Sequence, residues 1–479
     1  MSAANIKVTR ELTATTPSVN QILFLSGVEM ARLIRERAIS SRELIQMHLD
    51  RIAEVNPGLN AAIEVWTESA FQAADSVDRR LAQGEQLGPF AGVPFSIKDS
   101  IQVKGAVCSA GTLGLANSAP AQEDATSVAR LRAAGGIPIA RTNLPDLLFS
   151  FESDNLIYGR TNNPYDHSRT SGGSSGGEAA LIAALGSPLG LGSDAAGSVR
   201  LPAHFCGIAS LKPTSGRLAR TGHVPGAGGW LEMIWQIGPM ARRVQDLCAM
   251  MEVLTGGDGR DHTVVDAPYR DPSQVHVRDL RVAFFTDNGI RPANAETVRV
   301  VRAAADALSN AGARVEERRP PGIEQSYDLE MKVIGPDGGD GLRQYLKAIG
   351  STRIHHLLEQ WLLRLEPYRT TLDGFAGYWA NLYDFRAALF EFFQNYDVIV
   401  SPVYPQTALP HGESATGENF PGFSYTMTYN LTGWPAAVVP FGSSSEGLPI
   451  GVQIATHPWR EDVALAVALH LDREKNHAQ

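Results

Sequence analysis

SGGSSGGEAALIAA at 171–184, GLGSDAAGSVRLP at 190–202 and, upstream, GVPFSIKDS at 92–100 are the stretches on which the reading of this chain turns. The first two set Ser174 and Ser198 in runs of glycine and small residues. Chemistry at a serine needs backbone N–H groups close to the reacting oxygen, and small residues let the backbone approach. The third sets Lys98 in an alternating run: Val93, Phe95 and Ile97 against Pro94, Ser96 and Lys98. That period of two marks a strand. Together they suggest a hydrolase with Ser198 as nucleophile, Ser174 as proton relay and Lys98 as base.

Each piece has a plainer reading when taken singly. Gly172–Gly176 fits G-x-S-x-G, but a nucleophile elbow follows directly on a hydrophobic strand, and here NNPYDHSRTS precedes it. The same loop before a helix suits a phosphate, yet no G-x-x-x-x-G-K-[ST] is present. A glycine turn that merely feeds a helix also accounts for it. A lysine on the polar face of a strand is ordinarily solvated. To act as a base near pH 7, Lys98 must be buried, so that its pKa falls from about 10.4 by several units. Ser198 also reads as the N-cap of a helix over VRLPAH, although Pro202 lies past the first helical position. In SDAAGSVR (193–200) successive N–H groups can converge on one point, as an oxyanion hole requires, and Asp194 with Arg200 forms a pair that braces the turn.

The rest of the composition narrows the classes. Of 479 residues, 43% are apolar and 19% charged, as in a soluble globular chain with a large core. The net charge of −9 and the lack of a long basic run argue against nucleic acid. Cys108, Cys206 and Cys248 form no CxxC, which fits a reducing compartment rather than a disulfide framework. Residues 1–20 read as a polar arm without a signal-peptide core. The apolar run at 22–25 falls far short of the about 20 residues of a membrane span. A cytoplasmic protein is expected. His355 and His356 are adjacent and point apart on a helix, and no HExxH occurs, so no metal site is expected.

Ser26 with Glu29 and Ser40 with Glu43 are capping-box patterns. The second opens a helix with Leu44, Ile45, Leu49 and Ile52 on one stripe, expected to stop before Pro57. Beyond the Lys98 strand come a helix at 124–134, a strand at 137–141, loops over 142–177, a helix from near Glu178 and a strand around 188–192. LRVAFF, Ala295–Leu308 and ARVEE read as strand–helix–strand with parallel strands, without GxGxxG. Residues 340–396 are helical and rich in aromatics, and DVIVSP and AAVVPFG close the fold as strands. No repeat or linker divides the chain, so one domain over 1–479 is expected, with 92–218 as its core.

These motifs resemble the amidase signature family. The likeness rests on GGSSGGE (172–178), SDAAGSVR (193–200) and the strand lysine of GVPFSIKDS. It extends through AGGIPIARTNLPD (134–146), SDNLIYGRTNNPY (153–165), FCGIASLKPTSGRL (205–218), IGPMARRVQDL (237–247) and NLTGWPAAVVPFG (430–442). The resemblance implies an α/β fold: a large mixed twisted sheet covered by helices on both faces. It implies a Ser–cisSer–Lys triad, with Ser198 as nucleophile, Ser174 as bridging serine after a cis Gly173–Ser174 bond, and Lys98 as base. It implies an oxyanion hole from the N–H groups of Ala195, Ala196, Gly197 and Ser198. Leu148, Phe149 and Gly173 are implied beside the substrate, with Ser175, Asp194 and Arg200 in support. Where the family turn commonly reads D-x-G-G-S, this chain has Ala196 before Gly197, a methyl that would strain the turn if that position needed φ > 0.

The implied reaction passes through an acyl-enzyme on Ser198 and needs no metal or organic cofactor. The likeness to fatty-acid-amide-hydrolase-like, aryl acylamidase and urethanase-like enzymes implies a small hydrophobic amide, anilide, carbamate or ester substrate. The aromatic helices of 340–396 are read either as a wall of its pocket or as ordinary core packing or an oligomer face, in a monomer or homodimer. The rival expectation is a glutamine-hydrolysing subunit of a tRNA-dependent amidotransferase. Such a protein would need a charged clamp for the α-carboxylate and α-amino groups of glutamine.

Overall fold

The computed structural model describes residues 19–226 and 229–477; all but the last two residues of the expected polar arm lie outside them. The strands are β1 (Ala62–Val65), β2 (Pro94–Lys98), β3 (Ile137–Thr142), β4 (Leu189–Asp194), β5 (Ala209–Lys212), β6 (Gln236–Ala241), β7 (Arg281–Phe284), β8 (Arg314–Glu317), β9 (Val398–Pro402), β10 (Ala436–Ser443) and β11 (Pro449–Thr456). Among the described residues they form one eleven-stranded sheet in the order β1-β3-β2-β4-β6-β5-β10-β11-β9-β7-β8. Pairing is parallel for β3–β2–β4 and for β9–β7–β8, and antiparallel at β4–β6–β5–β10–β11–β9 and at β1–β3. The β7–helix–β8 unit is the parallel crossover read from the sequence, its helix running Ala295–Asn310.

Strand alternation decides which helices cover which face. Val398 and Val400 pack in one apolar cluster with Val301, Leu247 and Val467, while Ile399 between them packs in another with Leu329, Leu389 and Met427. Both faces are therefore helix-covered, and the strands read as apolar runs rather than as half-wet alternation. This corrects the ordinary solvated reading of the Lys98 strand. Val93, Phe95 and Ile97 enter the first cluster, but Ser96 and Lys98 are fully buried too. The helix Gly176–Ala183, which starts two residues earlier than expected, covers their side: Glu178 takes the Ser96 hydroxyl and is buried itself.

Both capping boxes form, at Gly27–Arg35 and Ser41–Leu59. The second helix does not stop before Pro57; it continues through it to Leu59. The buried Leu59 and the Asn56 side chain, which accepts from the N–H groups of Ala61 and Ala62, hold the last turn against the proline's missing donor. Asn60 in the left-handed region ends it.

β2 and β4 run side by side in parallel, Ser96 opposite Gly190 and Ile97 opposite Leu191. Their carboxyl ends therefore deliver Lys98 and Asp194 to the same edge. Ligands of open α/β sheets bind at such an edge. No helix among the described residues is long and apolar enough to cross a membrane.

Candidate active site

A cavity of about 180 Å³ opens at this edge, and Ser174 and Ser198 both line it. Lys98 Nζ lies 2.7 Å from Ser174 Oγ and 3.2 Å from Ser193 Oγ. The Gly173–Ser174 peptide is cis, as expected. Gly173 does not line the cavity; a Cβ there would fall 2.6 Å from the Ser150 carbonyl oxygen, so the loop needs glycine to close on 150–152. Ser175 N–H bonds the Ser198 carbonyl at 3.1 Å, which ties the two serine loops together.

Burial sets the protonation of Lys98. It pulls the Lys98 ammonium down to about 7, against partial support from the carboxylates of Asp194 and Glu178. Burial likewise pushes Glu178 up to about 8, although hydrogen bonds from Ser96 and Thr142 and the charge of Lys98 oppose it. Both groups are driven toward their neutral forms.

The turn at 194–200 is built on one carboxylate. Asp194 accepts from Gly197 N–H at 2.8 Å and Val199 N–H at 3.2 Å, and pairs with the buried Arg200 through Nε at 3.0 Å and Nη2 at 2.9 Å. Arg200 also reaches the Thr426 carbonyl and Gln453 Oε1, each at 2.8 Å, and Asn430 Oδ1 at 2.5 Å. Burial alone would raise the Asp194 pKa, but Arg200, Asn430 and Lys212 hold it far below the usual carboxylate range. The expected brace is therefore present and fully buried. It also takes one of the four expected oxyanion donors, because Gly197 N–H is spent on Asp194. The N–H groups of Ala195, Ala196 and Ser198 have no hydrogen-bond partner among the described residues, and these three residues line the cavity.

The Ala196 methyl does no harm. The positive φ of the turn falls on Gly197, at 126°, and a Cβ on that residue would meet Thr426 Oγ1 at 2.3 Å. Helix Arg200–Cys206 follows, and Pro202 sits at its third position, where the missing N–H has no intrahelical acceptor in any case.

Leu148 and Phe149 line the cavity. Leu147 and Leu148 both hold left-handed φ, 49° and 67°, a strain for branched side chains that Leu147 N–H bonding to the Ala110 carbonyl helps to hold. Of the aromatic 340–396 segment only Trp361 reaches the lining; Phe375 instead packs on Trp230, and Trp379 on Phe375, near the surface. Trp361 meets Phe149 and Phe151 edge-on, at 6.0 and 5.5 Å. Apart from Asp194, committed to Arg200, and the imidazole of His223, no ionisable side chain lines the cavity among the described residues.

Phe151, Ser193, His223 and Trp235 also line the cavity, and no motif spacing marks them as site residues. His223 arrives because 220–225 pairs along the segment after Lys98: Gln102 N–H bonds the Gly222 carbonyl and Val224 N–H the Ser100 carbonyl. Nothing local in the sequence encodes that register. Glu232, Asp261 and His262 converge within 4.8 Å, but Arg220 already contacts both acids, at 3.3 and 3.1 Å.

The family model described as Amidase matches residues 43–465. Human fatty-acid amide hydrolase 2 is 31% identical, covering 95% of this chain and 90% of the human protein. A glutamyl-tRNA(Gln) amidotransferase subunit of Acidothermus cellulolyticus is 32% identical, covering 95% of each chain. A solved bacterial aryl acylamidase of the amidase signature family superposes with a TM-score of 0.84 at 25% identity, over 95% of this chain and 97% of that one. The match settles the assignment: this chain belongs to the amidase family of amide-hydrolysing enzymes.

Proposed function

We propose that the chain hydrolyses small uncharged amides and anilides, with carbamates and esters of similar shape, through an acyl-enzyme on Ser198. The observation that carries this reading is Lys98 Nζ, buried and 2.7 Å from Ser174 Oγ, beneath a cavity that also holds Ser198. In this scheme Ser198 Oγ attacks the carbonyl carbon, its proton passes to Ser174, and the Ser174 proton passes to Lys98. The oxyanion is met by the N–H groups of Ala195, Ala196 and Ser198. As the C–N bond breaks, Ser174 protonates the departing nitrogen and is reprotonated by Lys98. Water then repeats the sequence on the acyl-enzyme.

The lining supports a neutral apolar substrate. A cavity near this size takes up about one aromatic ring. Leu148, Phe149, Phe151, Ile234, Ile334 and Trp361 offer it apolar surface. Segment 340–396 contributes through Trp361 alone. The similarity to the amidotransferase protein favours glutamine as a second reading, but a glutamine substrate would find no free charged partner in this lining. The free state of Cys108, Cys206 and Cys248 supports a reducing, cytoplasmic setting.

The test is hydrolysis of acyl p-nitroanilides, an alkyl carbamate of an aniline, and glutamine, by wild type beside Ser198→Ala. Aniline release that vanishes in the variant is the expected result. Ser198-dependent glutaminase activity without aniline release would favour the amidotransferase reading.

A further inference from the structure

His223 is fully engaged on both ring nitrogens. Nδ1 lies 2.9 Å from the Pro225 carbonyl oxygen, and Nε2 lies 2.9 Å from Ser193 Oγ. A carbonyl only accepts, so Nδ1 carries the proton. Burial holds the ring neutral, with its pKa pulled down to about 3, so Nε2 is an acceptor. The Ser193 hydroxyl must then donate to His223. Its oxygen is left to accept, and Lys98 Nζ donates to it at 3.2 Å. A neutral amine has two N–H bonds and one lone pair. With one N–H directed to Ser193, the lone pair is free for the Ser174 hydroxyl at 2.7 Å.

We propose that His223, acting through Ser193, is a positioning residue that keeps the Lys98 lone pair turned toward Ser174. Without the ring, the Ser193 O–H is released and can turn to the same lone pair, in competition with Ser174. The imidazole is held in place from several sides. Trp235 packs on it at 4.5 Å, Arg220 lies over Trp235 at 4.8 Å, and the backbone pairing of 222–224 with 100–102 sets the distance to Lys98. This inference rests on the proposed role of Lys98 as base.

The test compares wild type, His223→Phe, His223→Gln, Ser193→Ala and the Ser193→Ala/His223→Phe pair on an acyl p-nitroanilide across pH, with Ser198→Ala alongside. A mispositioned base lowers kcat about tenfold or more in His223→Phe, with KM changed less than about threefold. The acid limb of kcat/KM moves to lower pH, because donation from Ser193 favours the neutral amine. The other charges facing the pair, Asp194 and Glu178 on Lys98 and Arg220 on His223, are unchanged in this variant. Gln offers a carbonyl to Ser193 and recovers most of the loss. The double variant is no worse than the poorer single one, since both act through one chain. A wild-type kcat in His223→Phe, an unmoved acid limb or additive losses would overturn the proposal. Should His223→Phe not fold, Ser193→Ala against Ser193→Thr carries the same comparison. Activity surviving in Ser198→Ala defeats the triad reading itself; a dead Ser198→Ala beside an unaffected His223→Phe defeats only this inference.

Discussion

Replacing Lys98 with methionine should make the protein inactive and more stable, and the size of the gain follows from the burial of the amine. The ammonium titrates near 10.5 in the unfolded chain and at about 7 in the fold. At 1.36 kcal/mol per pKa unit, this displacement destabilises the fold at pH 7 by about 4 kcal/mol. A folded pKa below the unfolded one means that the unfolded chain binds more protons between these values. The penalty is therefore complete below about pH 7, about half relieved at pH 9, and gone above about 10.5. Methionine fills similar volume but leaves Ser174 and Ser193 without the amine, a loss of about 1 kcal/mol for each hydrogen bond. The net gain at pH 7 is about 2 kcal/mol. For 479 residues, with an unfolding entropy of about 2.1 cal/mol/K per residue, that is a rise in Tm of about 2 °C. The assay is thermal unfolding of wild type and Lys98→Met at pH 7 and pH 9, alongside anilide hydrolysis. The variant should melt higher at pH 7, and the gap should close at pH 9. A variant less stable than wild type at pH 7, or a gap that ignores pH, would show that the fold does not hold a destabilised lysine.

Other consequences are equally direct. Because the base must be neutral, kcat/KM should rise with pH through about 7, where Lys98 loses its proton, and a profile falling over that range would count against it. Gly197→Ala should abolish turnover and cost about 1–3 kcal/mol in chemical denaturation, since φ is 126° and the new methyl meets Thr426 Oγ1. Asp194→Ala should cost about 3–5 kcal/mol by leaving the Arg200 charge buried without its carboxylate, seen as loss of soluble protein or a lower denaturation midpoint. Trp361→Ala should raise KM for aryl amides more than for acetamide, measured on matched substrates, as one wall of the cavity is removed.

The residues of the proposed triad are legible because their motifs are local: a glycine loop, a small-residue turn and an alternating strand each announce a backbone that comes close to something. The mixed sheet follows from the same motifs through family resemblance, and the parallel β7–β8 unit follows from its hydrophobic pattern. Most of what stays hidden depends on long-range register. Lys98 lies on the polar side of its strand, and its burial follows from what the fold lays over that side, the Glu178 helix with Ser174 and Ser193. His223 comes within reach of Ser193, and through it of Lys98, by pairing between segments about 120 residues apart. The loss of Gly197 N–H to Asp194 is a hydrogen bond within one turn, which spacing does not distinguish from a free donor. The aromatic helices allow a pocket wall or plain packing, and composition does not say which way a helix faces; Phe375 turns to Trp230, Trp379 to Phe375, and Trp361 to the cavity.

All of the chemistry proposed above requires that Ser198 carry the acyl group. Intact-mass and peptide mass spectrometry, on protein quenched with acid during turnover of a p-nitrophenyl ester, reads that bond itself. The expected result is a mass increase equal to one acyl group less the hydrogen it replaces, located on the peptide containing Ser198 and absent from Ser198→Ala. An acyl group found on another residue, or undiminished labelling in Ser198→Ala, would contradict it.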